Sequence, residues 1–247
     1  MTRIISGWLA AAVLCLATSH AAAIGPSEVI ASTFGPGDSY NGNAAFYIQY
    51  FPPDVSSPTG YQLAHAVRFQ PSLADYVLET TRLSIFRRFN SGDLPRVTIS
   101  AADAGGGPGA ALASKTIGGF VPVDTPFQSE TAPPVAIDWT AEHVLLHGGS
   151  SYWLSLHYPA PSGQEVFWSV SSPVALGALA ARGHSYGDPN MWNVFIGASM
   201  PAFSVIATRV PEPGALALAS AAAACVALAR QRRRVAMGAS APGTGAI

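Results

Sequence analysis

Ser151-Tyr152-Trp153-Leu154-Ser155-Leu156-His157-Tyr158 is the stretch that decides the fold, because its side chains separate at a period of two. Tyr152, Leu154, Leu156 and Tyr158 fall on one side, Trp153, Ser155 and His157 on the other. Successive side chains point to opposite faces only in an extended chain, so the pattern predicts a half-buried β-strand. The same phase recurs downstream in Val166, Trp168 and Val170, and again in Phe203, Val205 and Ala207. Upstream, Leu63, His65, Val67 and Phe69 alternate with Ala64, Ala66 and Arg68; Val97 and Ile99 flank Thr98; Val135, Ile137 and Trp139 alternate with Ala136 and Asp138. Few windows sustain helical spacing, the best being Val174 to Arg182. The 24 glycines and 20 prolines recur between the strands as breakers. Sheets with one apolar face each must bury those faces against one another, so the expected fold is all-β, an antiparallel β-sandwich of jelly-roll-like type.

The turns fit that expectation. Asp103-Ala104-Gly105-Gly106-Gly107-Pro108-Gly109 lies between a strand at 96–101 and one at 112–117. Glycine supplies the positive φ that a tight hairpin loop needs. A phosphate-cradling loop would need a following helix and a G-K-[ST] ending, and neither occurs here.

The two ends read differently from the middle. Met1-Thr2-Arg3, the apolar run Ile4 to Ala17 and the A-x-A site at Ala21-Ala22-Ala23 have the order of a signal peptide over residues 1–23. At the other end, Val210-Pro211-Glu212-Pro213 precedes the apolar run Gly214 to Ala229, and Arg230, Arg232, Arg233 and Arg234 follow it as a basic stop. As a helix the apolar run would rise ~24 Å, a short but insertable span, and the arginines would hold its far end in the cytoplasm. Pro211 and Pro213 keep the chain before it extended. This order resembles the PEP-CTERM sorting signal of exported bacterial proteins. The resemblance implies export by the Sec translocon, cleavage by signal peptidase, passage through the inner membrane and processing by an exosortase. Residues 210–234 would then be the sorting signal and 235–247 a disordered cytoplasmic tail, which extends past the point where members of that family normally stop.

Residues 24–209 remain as one exported domain. Both cysteines, Cys15 and Cys225, fall outside it, so it can form no disulfide and must be stabilised by its core. The whole chain carries a net charge of -1, and Arg3 with the C-terminal arginines supplies much of the positive charge, so the domain itself is more acidic. An acidic balance argues against a nucleic-acid surface. Thr33-Phe34-Gly35-Pro36-Gly37-Asp38-Ser39-Tyr40, the strand Tyr76 to Phe86, Gly107-Pro108-Gly109-Ala110-Ala111-Leu112-Ala113 and Ser151 to Leu156 are similar to the choice-of-anchor R domain. That similarity implies a surface-exposed β-sandwich and assigns no catalytic residue.

Chemistry-bearing motifs are sparse. Gly183-His184-Ser185-Tyr186-Gly187 matches the G-x-S-x-G elbow, but no histidine follows His184 and Pro189 opposes the helix an elbow requires. Glu142, His143 and His147 have zinc-like spacing, but read as a turn feeding a strand; Asp38, Asn41 and Asn43 offer oxygen ligands and are equally turn formers. No cofactor or metal is expected. Among the tryptophans, Trp139 and Trp168 lie on the apolar phase, whereas Trp153 and Trp192 are the candidates for exposure and for stacking on a sugar ring. The expected function is therefore non-enzymatic: an exported surface or matrix protein with a structural or adhesive role beside exopolysaccharide. A carbohydrate-binding module of the same architecture is the alternative, and a secreted hydrolase using Ser185 the third.

Overall fold

The computed structural model describes residues 25–51, 61–87, 94–118, 133–158, 165–183, 191–211 and 221–230. The chain divides into two units, of which Pro26–Arg209 carries every described strand. Its strands are β1 (Ser27–Ser32), β2 (Tyr40–Phe51), β3 (Tyr61–Phe69), β4 (Tyr76–Leu83), β5 (Ile85–Arg87), β6 (Arg96–Ala102), β7 (Pro108–Thr116), β8 (Val135–Asp138), β9 (Leu145–Leu146), β10 (Tyr152–His157), β11 (Glu165–Ser171), β12 (Leu176–Arg182), β13 (Asn193–Ser199) and β14 (Phe203–Arg209). All named pairings are antiparallel. The fold is therefore all-β.

Two sheets share one core. The smaller runs β1-β14-β4-β8, with β9 also on β4; the larger runs β5-β11-β2-β3-β10-β6-β7, with β12 on β3 and β13 on β12. Leu78, Leu83, Ile137, Phe203 and Val205 from the first meet Val67, Ile99, Leu154, Leu156 and Trp168 from the second in one apolar cluster. Trp139 and Trp168 are fully buried, as their strand phase predicts. Burying an indole leaves its N–H in need of an acceptor: Trp139 Nε1 donates to the Thr81 hydroxyl and Trp168 Nε1 to the Ala202 carbonyl, each at 2.9 Å.

The span Tyr76 to Phe86, expected as one strand, is two. It leaves the small sheet at Ser84 and joins the large sheet as β5. At that corner the Ser169 N–H donates to Ser84 O (2.9 Å), Ser84 N–H to Ala202 O (3.1 Å) and Ala202 N–H to Ser169 O (2.7 Å). This ring of backbone bonds satisfies the groups that changing sheets would leave unpaired, and it fastens the layers on one side. On the other side a cleft of about 240 Å³ separates β7 from β8, lined by Lys115, Ile117, Val135 and Ile137 among others. Lys115 spans it, donating to the Asp138 carbonyl and pairing with Glu142 at 2.9 Å.

Val174 to Arg182, the best helical window, contributes strand β12 instead. Both of its faces are covered: Leu179 joins the main core, while Ala178 and Ala180 join a second cluster with Ala66 and Trp153. With apolar residues on both faces the alternation disappears from the sequence, and alanine's helix propensity misleads. The glycine-rich segment does form the β6–β7 hairpin loop, with Gly106 at φ 80° and the Asp103 carboxylate accepting the Gly107 N–H at 2.8 Å.

Outside this unit, residues 221–230 form a helix whose every residue is exposed. Among the described residues no helix is long and apolar enough to cross a membrane. Residues 1–23, the elbow residues His184 to Gly187, Glu212, Pro213, Arg232, Arg233, Arg234 and the tail 235–247 lie outside the described residues.

Candidate functional site on the outer face of the large sheet

Strand registers place the outward residues of the large sheet in rows. On β10, Trp153, Ser155 and His157 face away from the main core; on β6 their partners are Ser100, Thr98 and Arg96, and on β3 Trp153 and Ser155 stand opposite Arg68 and Ala66. Strand β12 adds Ala180 opposite Ala66 and Arg182 opposite Ala64. One end of the face is thus a row of Arg182, Ala64, His157 and Arg96.

Trp153 corrects the sequence expectation. It is fully buried, not presented to solvent, because it forms the centre of the second cluster with Ala66, Ala178 and Ala180, against which Ala102 and Trp192 also pack. Strand order puts β13 five positions from β7, yet a Cβ built on Gly107 of the β6–β7 loop would lie 3.6 Å from a Val194 methyl on β13. The large sheet therefore curls so that the β12–β13 hairpin passes over its own outer face. A bulge at Gly197 (φ 73°) accompanies that curl, where the register slips between Gly177 and Ala178. A tryptophan roofed in this way has no face to offer a sugar.

Trp192 is half-buried, and the Arg182 guanidinium lies over its ring at 5.0 Å. Stacking on an aromatic face attracts a cation and holds its planar fork in place. Arg182 also donates to the Gln62 side-chain carbonyl, while Gln62 donates to the Tyr158 carbonyl. Burial pushes the Arg182 guanidinium below its ordinary pKa. His157 is lowered to about 4, first by burial and then by the charges of Arg182 and Arg96. Four buried nitrogens in this region have no hydrogen-bond partner: Trp153 Nε1, His157 Nδ1, Arg182 Nε and Asn193 Nδ2.

The other sequence candidates are engaged elsewhere. Glu142 pairs with Lys115, His147 stands 3.3 Å from Asp75, and His143 is exposed in the left-handed turn between the two (φ 48°). The Gly148 N–H and then His147 hold the Asp75 carboxyl below its usual range. Among the described residues no group of three or more His, Cys, Asp or Glu side chains is placed to hold a metal. Asp38 grips Arg82 through both carboxylate oxygens, at 3.0 and 2.6 Å, and Asn41 Oδ1 accepts the Asn43 N–H in a local turn. These three residues form no common ligand set. Of the sorting motif, Val210 and Pro211 are described and follow β14 without regular structure; Arg230 ends the helix.

Sequence reasoning noticed His157 as a neighbour of Trp153 but missed that the registers set Arg96 opposite it and Arg182 two strands away. Outward phase was legible on each strand; which strands lie side by side was not. No protein-family model matches this chain, and no curated protein matches it.

Proposed function

We propose that this is an exported, exosortase-processed protein of the cell surface or extracellular matrix, with a structural or adhesive role beside exopolysaccharide. The observation that carries the proposal is the order of the C-terminal segment: Val210-Pro211-Glu212-Pro213, an apolar run, then the arginine cluster. Its described part, 221–230, is a helix of alanine, cysteine, valine and leucine up to Arg230, with every residue exposed. A helix whose exposed side chains are mostly apolar is suited to a lipid environment. The PEP-CTERM resemblance supplies the partners: Sec translocon and signal peptidase, then exosortase at the inner membrane. A β-rich unit of its own, Pro26–Arg209, whose sequence contains no cysteine, suits an existence outside the cell. The jelly-roll-like topology is supported by strand order, since β14 inserts between β1 and β4 while β11 inserts between β2 and β5.

Deleting Val210 to Ile247 and fractionating the cells tests the sorting proposal. The truncated protein is expected to lose surface retention and appear in the medium or periplasm; unchanged retention would overturn the assignment.

A second reading, carbohydrate binding by the same unit, is favoured by Trp192, which is half-exposed and aligned by Arg182. Trp153 no longer belongs to it.

A further inference from the structure

We propose that the end of the β unit from which the C-terminal segment departs is a lipid-contacting surface, with Leu73 entering the interfacial layer of the bilayer and Leu145 resting against it. The proposal deepens the surface-protein reading and rests on the apolar run Gly214 to Ala229 being held in a membrane.

Strand register defines that end. Arg209, the last residue of β14, stands opposite Tyr76, the first of β4, and Tyr76 also stands opposite Leu146 of β9. Ser27, the first residue of β1, stands opposite Thr208. The end of β14, the start of β1, the loop 70–75 before β4 and the loop 147–151 after β9 therefore lie together at one end of the small sheet. Four residues separate Arg209 from Gly214, so the apolar run begins within ~18 Å of chain from this end.

The same end displays apolar side chains. Leu73 is 94 % exposed and Leu145 is 42 % exposed. An isolated exposed leucine is ordinary; Leu73 differs because its loop is fastened in place. The Gly149 N–H donates to the Ser72 carbonyl at 2.8 Å, the Gln70 side-chain amide to the Gly149 carbonyl at 2.6 Å, and the Gly148 N–H to Asp75 Oδ1 at 2.9 Å. Ser72 Oγ lies 2.9 Å from the Tyr76 hydroxyl. A Cβ on Gly148 would lie 2.1 Å from the Leu73 carbonyl oxygen, so only glycine lets the two loops approach this closely. The loop thus holds Leu73 in water, and an apolar group fixed in advance loses little conformational freedom when it binds.

Charge decides the kind of lipid contact. These elements carry three carboxylates, Glu28, Asp75 and Glu79, against the single arginine Arg209. Asp75 is engaged by Gly148 and His147, and Glu79 accepts the Ser27 and Thr208 hydroxyls. Such a surface has no basic patch for anionic headgroups, so its contact is apolar insertion. One leucine holds lipid weakly by itself. A chain already tethered a few residues away presents it at high effective concentration, and a weak contact is then sufficient to orient the unit.

The test uses the full chain reconstituted in phosphatidylcholine vesicles, with Cys15→Ser and Cys225→Ser removing the native thiols. A nitrobenzoxadiazole fluorophore is attached at Leu73→Cys or, as control, at Ala136→Cys, an exposed position opposite Arg82 and so ~20 Å along β4 from Tyr76. Brominated acyl chains are expected to quench the label at 73 and iodide in the water to leave it bright, with the reverse at 136. A third label at Ser150→Cys, with Leu73 retained, guards against the probe inserting by itself: its quenching by brominated lipid is expected to be lost on adding Leu73→Asp. Equal quenching at 73 and 136, or quenching at 150 unmoved by Leu73→Asp, would overturn the contact. A label at 73 shielded from iodide yet untouched by brominated lipid would show a second copy or another protein on this surface and would equally overturn it. Vesicles that float with the chain while 73 stays unquenched would sink this proposal alone, whereas a chain that fails to float would sink the membrane-held reading and this proposal with it.

Discussion

At the scale of single residues, buried polar groups set the terms. His65 lies on the inward phase of β3, 3 % exposed, with its ring 5.1 Å from that of Phe46. Burial lowers its pKa from 6.5 to about 4, only partly offset by a backbone hydrogen bond at Tyr47. The folded chain thus resists a proton that the unfolded chain accepts. This contribution to stability is complete above pH 6.5, is lost as pH falls from 6.5 toward 4, and changes little further below that. By pH 5 the loss amounts to about 2 kcal/mol. His157, lowered in the same direction, adds to it. Urea unfolding at pH 7.5 and pH 5 measures the effect, and His65→Gln is expected to reduce the pH dependence; a variant as pH-sensitive as the wild type would remove His65 as the source. The sequence revealed that His65 points inward, because it shares a phase with Val67 and Phe69. It could not reveal that Arg182 and Arg96 converge on His157, because those residues come from different strands.

At the scale of elements, alternation made legible those strands with one apolar face and concealed those with two. β3, β6, β10, β11 and β14 were found because apolar and small or polar residues take turns. β12 was missed because alanines fill both of its sides and resemble a helix, and the crossing at Ser84 was missed because β4 and β5 continue one apolar pattern into different sheets. Small side chains on β12 have a structural reason: Ala178 and Ala180 lie beneath Trp153 and the β13 strand that curls over it. Enlarging them should lift that roof. Ala180→Leu is expected to destabilise the protein by roughly 1–3 kcal/mol, the usual range for overpacking a closed site. The urea midpoint should fall with little change in slope, and indole fluorescence should report movement of Trp153 before global unfolding. An unchanged midpoint would mean that the β12–β13 hairpin is loosely held and that the second cluster contributes little.

At the scale of the whole molecule, two kinds of sequence follow one another. Pro26–Arg209 builds a core from both sheets, and its sequence is cysteine-free and acidic. The helix 221–230 has every residue exposed, ends in Arg230 and carries the free Cys225 on its surface. Removal of the C-terminal segment without unfolding the β unit is the physical condition a disposable sorting signal must meet. The composition of the ends made this division visible in the sequence, whereas the rows of the outer face required the register of several strands. The proposal therefore makes a definite statement about mass. Protein recovered from the cell surface should begin at Ile24 and lack the arginine cluster Arg230 to Arg234 if signal peptidase and exosortase each remove one end, as proposed. Its unfolding midpoint is expected to match that of the full chain, and reducing agent should leave it unchanged in the absence of any cysteine. Intact mass spectrometry with denaturant unfolding of the same sample reads both. A surface-located protein still carrying Arg230 to Ile247 would show a permanent anchor in place of a processed one, and a lower midpoint after processing would show that the C-terminal segment supports the fold.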